Sequence, residues 1–307
     1  MSISSAKIPS ESRPRMSRMV FHRKVVPWLF ILPILLVNLL VVIGPSLAAV
    51  YYSMTDWKGL GAAEFIGLEN YIDLFQDPNY GNAFLHNLMW LAFFLTVPIF
   101  LALMVASFLA PIRKGGMLFR GGLFVAYIIP SVITANIWSN LMHPVQGLGP
   151  QLSKIGITGL DIAWLGRTDT SLLSVAFVDN WHWWGFLMVL FLTAMQSVPP
   201  ELYDAAKIDG ANRWTEFLYV TIPGIRPTLI FMLLMTGIWS FLAFDYVYIL
   251  TQGGPAGSSD LLSVIVYKYA FTRFQAGYAS AIGLTMSLLS GVIIGIFIFL
   301  RKRGWDI

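Results

Sequence analysis

The chain has 307 residues, 57% of them hydrophobic and 12% charged, with a mean hydropathy of +0.69. That is more apolar surface than one water-soluble core can bury, which excludes an ordinary globular domain and makes lipid the expected solvent. The net charge of +4 does not imply nucleic acid, because the cations sit in short clusters between apolar runs, and the absence of cysteine excludes disulfides, thiolate metal sites and cysteine nucleophiles.

Residues 1–26 read as a polar, basic cytoplasmic tail whose first dozen or so residues, Ser-rich, are expected to be disordered. The apolar run beyond Arg13, Arg15, Arg18, Arg23 and Lys24 is about twice the length of a signal-peptide core. Tyr51, Tyr52 and Trp57 resemble an interfacial anchor, so a retained helix is expected rather than a cleaved leader.

A helix needs about 20 residues to cross the roughly 30 Å hydrocarbon layer, and only helices or closed barrels satisfy their backbone there. Six stretches qualify, near 27–52, 83–110, 117–141, 171–196, 226–250 and 275–300. The expected fold is therefore an all-α integral membrane protein, with a six-helix transmembrane domain over 27–300 and a short tail at 301–307. Pro33, Pro45, Pro98 and Pro130 inside these stretches predict kinks or breaks. Six basic residues precede the first stretch, and three each fall in 111–120, 197–226 and 301–303. The alternate loops hold Lys58, Lys154, Arg167, Lys268 and Arg273. This bias sets both termini and the 197–226 segment in the cytoplasm.

Between the fourth and fifth stretches runs Pro199-Pro200-Glu201-Leu202-Tyr203-Asp204-Ala205-Ala206-Lys207-Ile208-Asp209-Gly210-Ala211, then Phe217 and Ile222-Pro223. Prolines at the front and a glycine at the end predict a short helix with a start and a stop. Leu202, Ala205 and Ala206 recur at helical spacing, with Asp204 and Lys207 flanking them, and Trp214, Phe217 and Leu218 predict a second short amphipathic turn. Such a helix pair can seat in a groove of a partner protein, or lie on the headgroups as an interfacial helix.

These residues resemble the coupling loop, or EAA motif, of binding-protein-dependent ABC permeases. Asp204-Ala205-Ala206 stands in the first place of the motif, Gly210 in that of its glycine, and Phe217 and Pro223 in the downstream positions, with Asp209 and Ala211 completing the string of the carbohydrate-importer branch. Asp204 replaces the usual glutamate, one methylene shorter, which changes the geometry of an ion pair but not its charge.

At the end of the fifth stretch, Phe244-Asp245-Tyr246-Val247-Tyr248-Ile249-Leu250-Thr251-Gln252-Gly253-Gly254-Pro255 is similar to the F-D-x-x-Y-x-L-T-x-G-G-P signature of the same sugar permeases. The glycines and the proline stop the helix there and turn the chain along the outer surface.

Asp179, His182 and Asp245 are the ionisable candidates within the spans, suited either to an interhelical hydrogen bond or to substrate contact. Asp179-Asn180-Trp181-His182-Trp183-Trp184 combines hydrogen-bonding groups with flat aromatics, as a sugar site does, though an interfacial aromatic belt has the same composition. Resemblance to the larger maltose permease subunit puts sugar-contacting positions at His182, Trp183, Phe186, Thr236, Trp239, Ser240 and Ala243, with other side-chain types at nearly all of them. Asn87 is a further polar candidate.

No G-x-x-x-x-G-K-[ST] loop and no metal-spaced cluster occurs in the sequence, so no cofactor and no catalysis are expected of this chain. The resemblance implies a type I ABC importer permease of a bacterial inner (cytoplasmic) membrane. Its implied partners are a second homologous permease, two copies of a cytoplasmic ABC ATPase carrying ATP and Mg, an extracytoplasmic solute-binding protein and membrane lipid. The implied cargo is a sugar, a sugar derivative or glycerol phosphate. A secondary transporter or channel is the rival reading, but neither paired intramembrane charges nor an inverted repeat is visible.

Overall fold

A computed structural model describes residues 24, 26–112 and 115–302. Most of the basic tail, including His22, and Arg113, Lys114 and Arg303 lie outside the described residues, as do the ends of the tails expected at 1–26 and 301–307. The described residues are helical apart from turns and loops, with an isolated bridge between Thr55 and Phe65. They divide into two units at Tyr51 and Tyr52.

The first unit is built from α1, Val26–Tyr52, a 27-residue apolar helix. Pro33 sits inside it without ending it, and a π turn at Leu39–Ile43 precedes Pro45. Proline has no N–H to give the preceding turn, and a widened turn carries the helix past that gap.

In the second unit α2 (Glu69–Gln76) leads through Asp77 into α3 (Pro78–Leu109). Asp77 caps α3, its carboxylate accepting from the Asn79 amide at 2.8 Å, and Pro78 occupies the first turn, where a missing N–H costs nothing. Then follow α4 (Gly116–Ile128), α5 (Ser131–Leu141), α6 (Leu148–Lys154) and α7 (Ser171–Gln196). After α8 (Pro200–Ile208) and α9 (Arg213–Glu216) come α10 (Arg226–Leu242), α11 (Asp245–Leu250), α12 (Leu262–Tyr267) and α13 (Ala276–Lys302).

Among the described residues five helical stretches are long and apolar enough to cross a bilayer, and the bent pair α4 and α5 makes a sixth if it counts as one span. The stretch expected at 117–141 is present and broken at its proline, as anticipated: Ile129 and Pro130 interrupt it and α5 leaves α4 at 95°. Pro130 removes a helix donor and forces Ile129 into an extended conformation. The fifth span also breaks, at Ala243 and Phe244, before resuming as α11. Pro98 remains inside an uninterrupted α3.

The long helices α3 and α7 pack along each other, with α4 on α7, α10 on α3 and α13, and α12 on α13. Small residues set the close approaches. A Cβ on Gly185 of α7 would stand 2.3 Å from the Leu123 carbonyl oxygen of α4, and one on Gly277 of α13 would stand 2.1 Å from that of Thr55. One buried cluster, with Ile99, Leu187, Phe191 and Ile225, lies toward the 199–223 segment. Another, with Trp90, Val175, Tyr246 and Leu261, lies toward the other end, where the Ser171 and Ser258 hydroxyls bond at 2.8 Å.

Candidate functional site

Two places stand apart from the packed helices: a cavity between them, and the helix pair of the 199–223 segment.

The cavity has a volume of about 590 Å³. On α7, Asp179, His182 and Trp183 follow the i, i+3, i+4 rule and share one face. On α10, Thr236, Trp239 and Ser240 repeat that spacing, and Ala243 extends the same wall. The two helix breaks close the remainder: Tyr127 to Ser131 come from the α4/α5 bend, and Asp245 stands at the start of α11. Trp183 and Trp239 meet edge to face with ring centres 4.6 Å apart. The Tyr127 ring stacks on Phe186 at 4.6 Å and lies 5.3 Å from His182. Gly185 permits that contact, since it lets α4 lie against α7.

Polar groups on this wall are short of partners. Thr236 is 2% exposed, and its hydroxyl has no hydrogen-bond partner. Asp245 accepts from the Ser131 hydroxyl at 3.1 Å. Among the described residues no ion pair joins Asp179 or Asp245 to a cation. A pocket with flat aromatic walls and unspent acceptors suits a hydroxyl-rich ligand.

Eight of the candidates expected on the substrate path therefore line one cavity: Asp179, His182, Trp183, Thr236, Trp239, Ser240, Ala243 and Asp245. Three do not. Phe186 stands behind Tyr127. Asn180 is buried with its side-chain oxygen unpartnered, away from the cavity lining. Asn87 is also buried, donating to the Ser240 carbonyl at 3.0 Å and accepting from the Leu262 amide at 2.7 Å, so its amide ties α3 to α10 and α12. Trp90, Phe94, Tyr127, Ser131 and Tyr246 also line the cavity, unforeseen from sequence. The one available signal for Tyr127 and Ser131 was Pro130 between them.

The stretch around Gly253 forms a structural clasp. Gly253 has φ of 82°, and a Cβ there would fall 1.7 Å from Asp260 Oδ1. Lys268 donates to that same oxygen at 2.7 Å, and the Ser259 hydroxyl donates to the Gly254 carbonyl at 2.8 Å. Burial pushes the Asp260 carboxyl up, with Lys268 pulling in the other direction.

In the 199–223 segment, α8 carries Glu201 in its first turn and Lys207 in its last, as the helix dipole favours. It ends at Gly210, whose φ of 79° is left-handed, with the Ala211 amide returning to the Ala206 carbonyl at 2.9 Å. Asn212 then caps α9, accepting from the Trp214 and Thr215 amides at 3.0 and 2.9 Å. Tyr203 fixes the pair to the bundle: its hydroxyl bonds Thr221 at 3.1 Å, and its ring packs with Phe217 on the cluster around Phe191. Phe217 opens a π turn over Phe217–Thr221, and Pro223 lies exposed in the following turn.

The opposite face of α8 is open. Leu202 is 50% and Ile208 87% exposed, with exposed Ala205 between them at i+3. Asp204 pairs with Lys207 at 3.3 Å on the flank, and Ala206 is half-buried. Asp209 and Gly210 are exposed and Ala211 is half-buried at the tip. A short apolar stripe of this kind, anchored from behind, has the chemistry with which a helix seats in a groove of another protein.

Residues 88–303 match the model of the family described as "Binding-protein-dependent transport system inner membrane component". A probable ABC transporter permease, YurN of Bacillus subtilis, is 35% identical over 89% of this chain and 94% of its own length. The diacetylchitobiose uptake system permease NgcF of Streptomyces coelicolor is 33% identical over 95% of this chain and 86% of its own. In fold, a chain of the bacterial alginate ABC transporter, solved with an alginate pentasaccharide-bound periplasmic protein, superposes with a TM-score of 0.84 at 20% identity, over 95% of this chain and 99% of that one.

Proposed function

Because the chain belongs to the family of binding-protein-dependent transport system inner membrane components, we propose that it is the transmembrane subunit of an ATP-driven importer that passes a carbohydrate or sugar derivative through the cavity between α7, α10 and α11. NgcF serves diacetylchitobiose uptake, and the structural neighbour serves alginate, both carbohydrates. The observation that carries the reading is the joint presence of an aromatic, acceptor-lined cavity and, beyond the cluster around Phe191, an exposed apolar helix.

In this reading a solute-binding protein delivers the sugar at the end bearing the 251–261 clasp. Two cytoplasmic ATPases, which carry the ATP and Mg, grip α8 along Leu202, Ala205 and Ile208, with Asp204, Asp209 and Gly210 at the rim of the contact. A second, homologous permease completes the pathway, and both termini face the cytoplasm. When the ATPases close, α8 moves as a unit because Tyr203 and Phe217 tie it to α7 and α10, and the helices exchange the side to which the cavity opens. The chain's own part is to hold and release the sugar, with the ATP chemistry on its partners.

The complex, purified with its ATPase and reconstituted in lipid, should hydrolyse ATP faster when loaded binding protein is added. Replacing Gly210 by valine puts a β-branched residue at φ of 79°, at a cost of about 1–2 kcal/mol. Stimulation and transport should both fall while basal hydrolysis persists. Unchanged transport in Gly210→Val would overturn the coupling role.

A further inference from the structure

We propose that the cavity selects against negatively charged saccharides, taking neutral or amine-bearing ones, with Asp179 and Asp245 as the residues that set this preference; the inference rests on the cavity being the sugar's path. Asp179 projects from α7 and Asp245 from the start of α11, and both line the same space. The lining includes no lysine or arginine, and neither carboxylate is in an ion pair among the described residues. The hydrogen bond that the Ser131 hydroxyl gives Asp245 leaves most of the acceptor capacity of the two groups unspent.

Carboxylates accept from sugar hydroxyls and attract a protonated amine, and they repel a uronate or a phosphate. In a partly dry site that repulsion is large: at an effective dielectric constant near 20, two like charges about 6 Å apart disfavour binding on the order of a hundredfold. Thr236 points to a ligand independently. Its hydroxyl is buried on the α10 wall without a partner, a costly arrangement that a neutral sugar hydroxyl relieves. Trp183 and Trp239 meanwhile offer C–H faces a platform that needs no charge.

The test uses the purified complex in lipid nanodiscs without binding protein, and three trisaccharides of equal length: neutral, all-uronate and all-amino. The uronate should bind at least about tenfold more weakly than the neutral sugar, and the amino sugar at least as tightly. Asp179→Asn with Asp245→Asn should strengthen uronate binding and shrink the gap to roughly threefold, while the neutral sugar, which loses two charged acceptors, binds no more tightly than it does to the native complex. Should the double variant fail to assemble, each single variant should move the gap part of the way. Equal or tighter binding of the uronate by the native complex, a gap that the substitutions leave unmoved, or no binding of any trisaccharide overturns the proposal. ATPase stimulation by loaded binding protein, measured on the same samples, separates the readings: if it persists while the gap fails to appear, charge selection alone falls, and if it is absent the importer reading falls.

Discussion

Asp77 shows how one side chain sets a boundary. It caps α3 and accepts from the hydroxyls of Tyr269 and Tyr278, so it ties three helical segments together. Burial pushes its carboxyl up, but the donated bonds from Tyr269, the Asn79 amide and Tyr278 outweigh this and hold it below the ordinary value of 3.8. A carboxylate depressed in the folded state stabilises above its unfolded pKa, and that stability is lost as pH falls through the folded value. Melting of the purified protein between pH 5 and pH 2.5 should therefore show a steeper loss for the native chain than for Asp77→Asn, and identical slopes would refute the assignment. In the cavity, Trp239→Ala removes one aromatic platform worth about 1 kcal/mol. Sugar binding should weaken roughly fivefold, with ATPase stimulation retained at saturating binding protein. Asn87→Ala, in contrast, should lower thermal stability by about 1–3 kcal/mol, because it strands the Ser240 carbonyl and the Leu262 amide.

Among the elements, α4, α5 and α7 decide the shape of the site. Gly185→Ala would drive a methyl into the Leu123 carbonyl at the α4/α7 contact, at a cost of about 1–3 kcal/mol. Both melting temperature and sugar binding should drop, because the Tyr127 ring is carried on the displaced helix; an unchanged melt would mean the helices have room that their spacing does not suggest. The spans themselves were legible in the sequence, because twenty apolar residues leave little but a membrane helix. So were the short helix at 200–208 and its stop, since Pro200 and Gly210 each fit one end. The breaks were less legible. Pro33 and Pro98 sit inside continuous helices while Pro130 ends one, so proline by itself does not say whether neighbours re-satisfy the freed carbonyl. The break at Ala243 and Phe244 has no proline at all. Tyr127 and Ser131 were missed for that reason: they enter the cavity because α5 departs at 95°. Asn87 looked like a substrate candidate because the sequence cannot show that its amide is already spent between helices.

At the largest scale, the second unit sets the cavity and the 199–223 segment against the same packed helices. The α3/α7 pair and its buried cluster join the cavity to the 199–223 segment without a flexible linker between them, which is what moving α8 and reshaping the cavity together requires. Residues 88–303, the part that matches the family, contain both. The exposed stripe Leu202, Ala205, Ile208 is the feature on which the account depends, because it must lie inside the cell and must meet an ATPase. The sequence contains no cysteine, so a single cysteine replacing Ala205 is a unique probe in the otherwise native chain. In right-side-out membrane vesicles that residue should resist a membrane-impermeant maleimide and react after permeabilisation, and it should crosslink to the ATPase subunit at short reagent length. Labelling from outside in sealed vesicles, or an assembly in which no ATPase reaches Ala205→Cys, would contradict it.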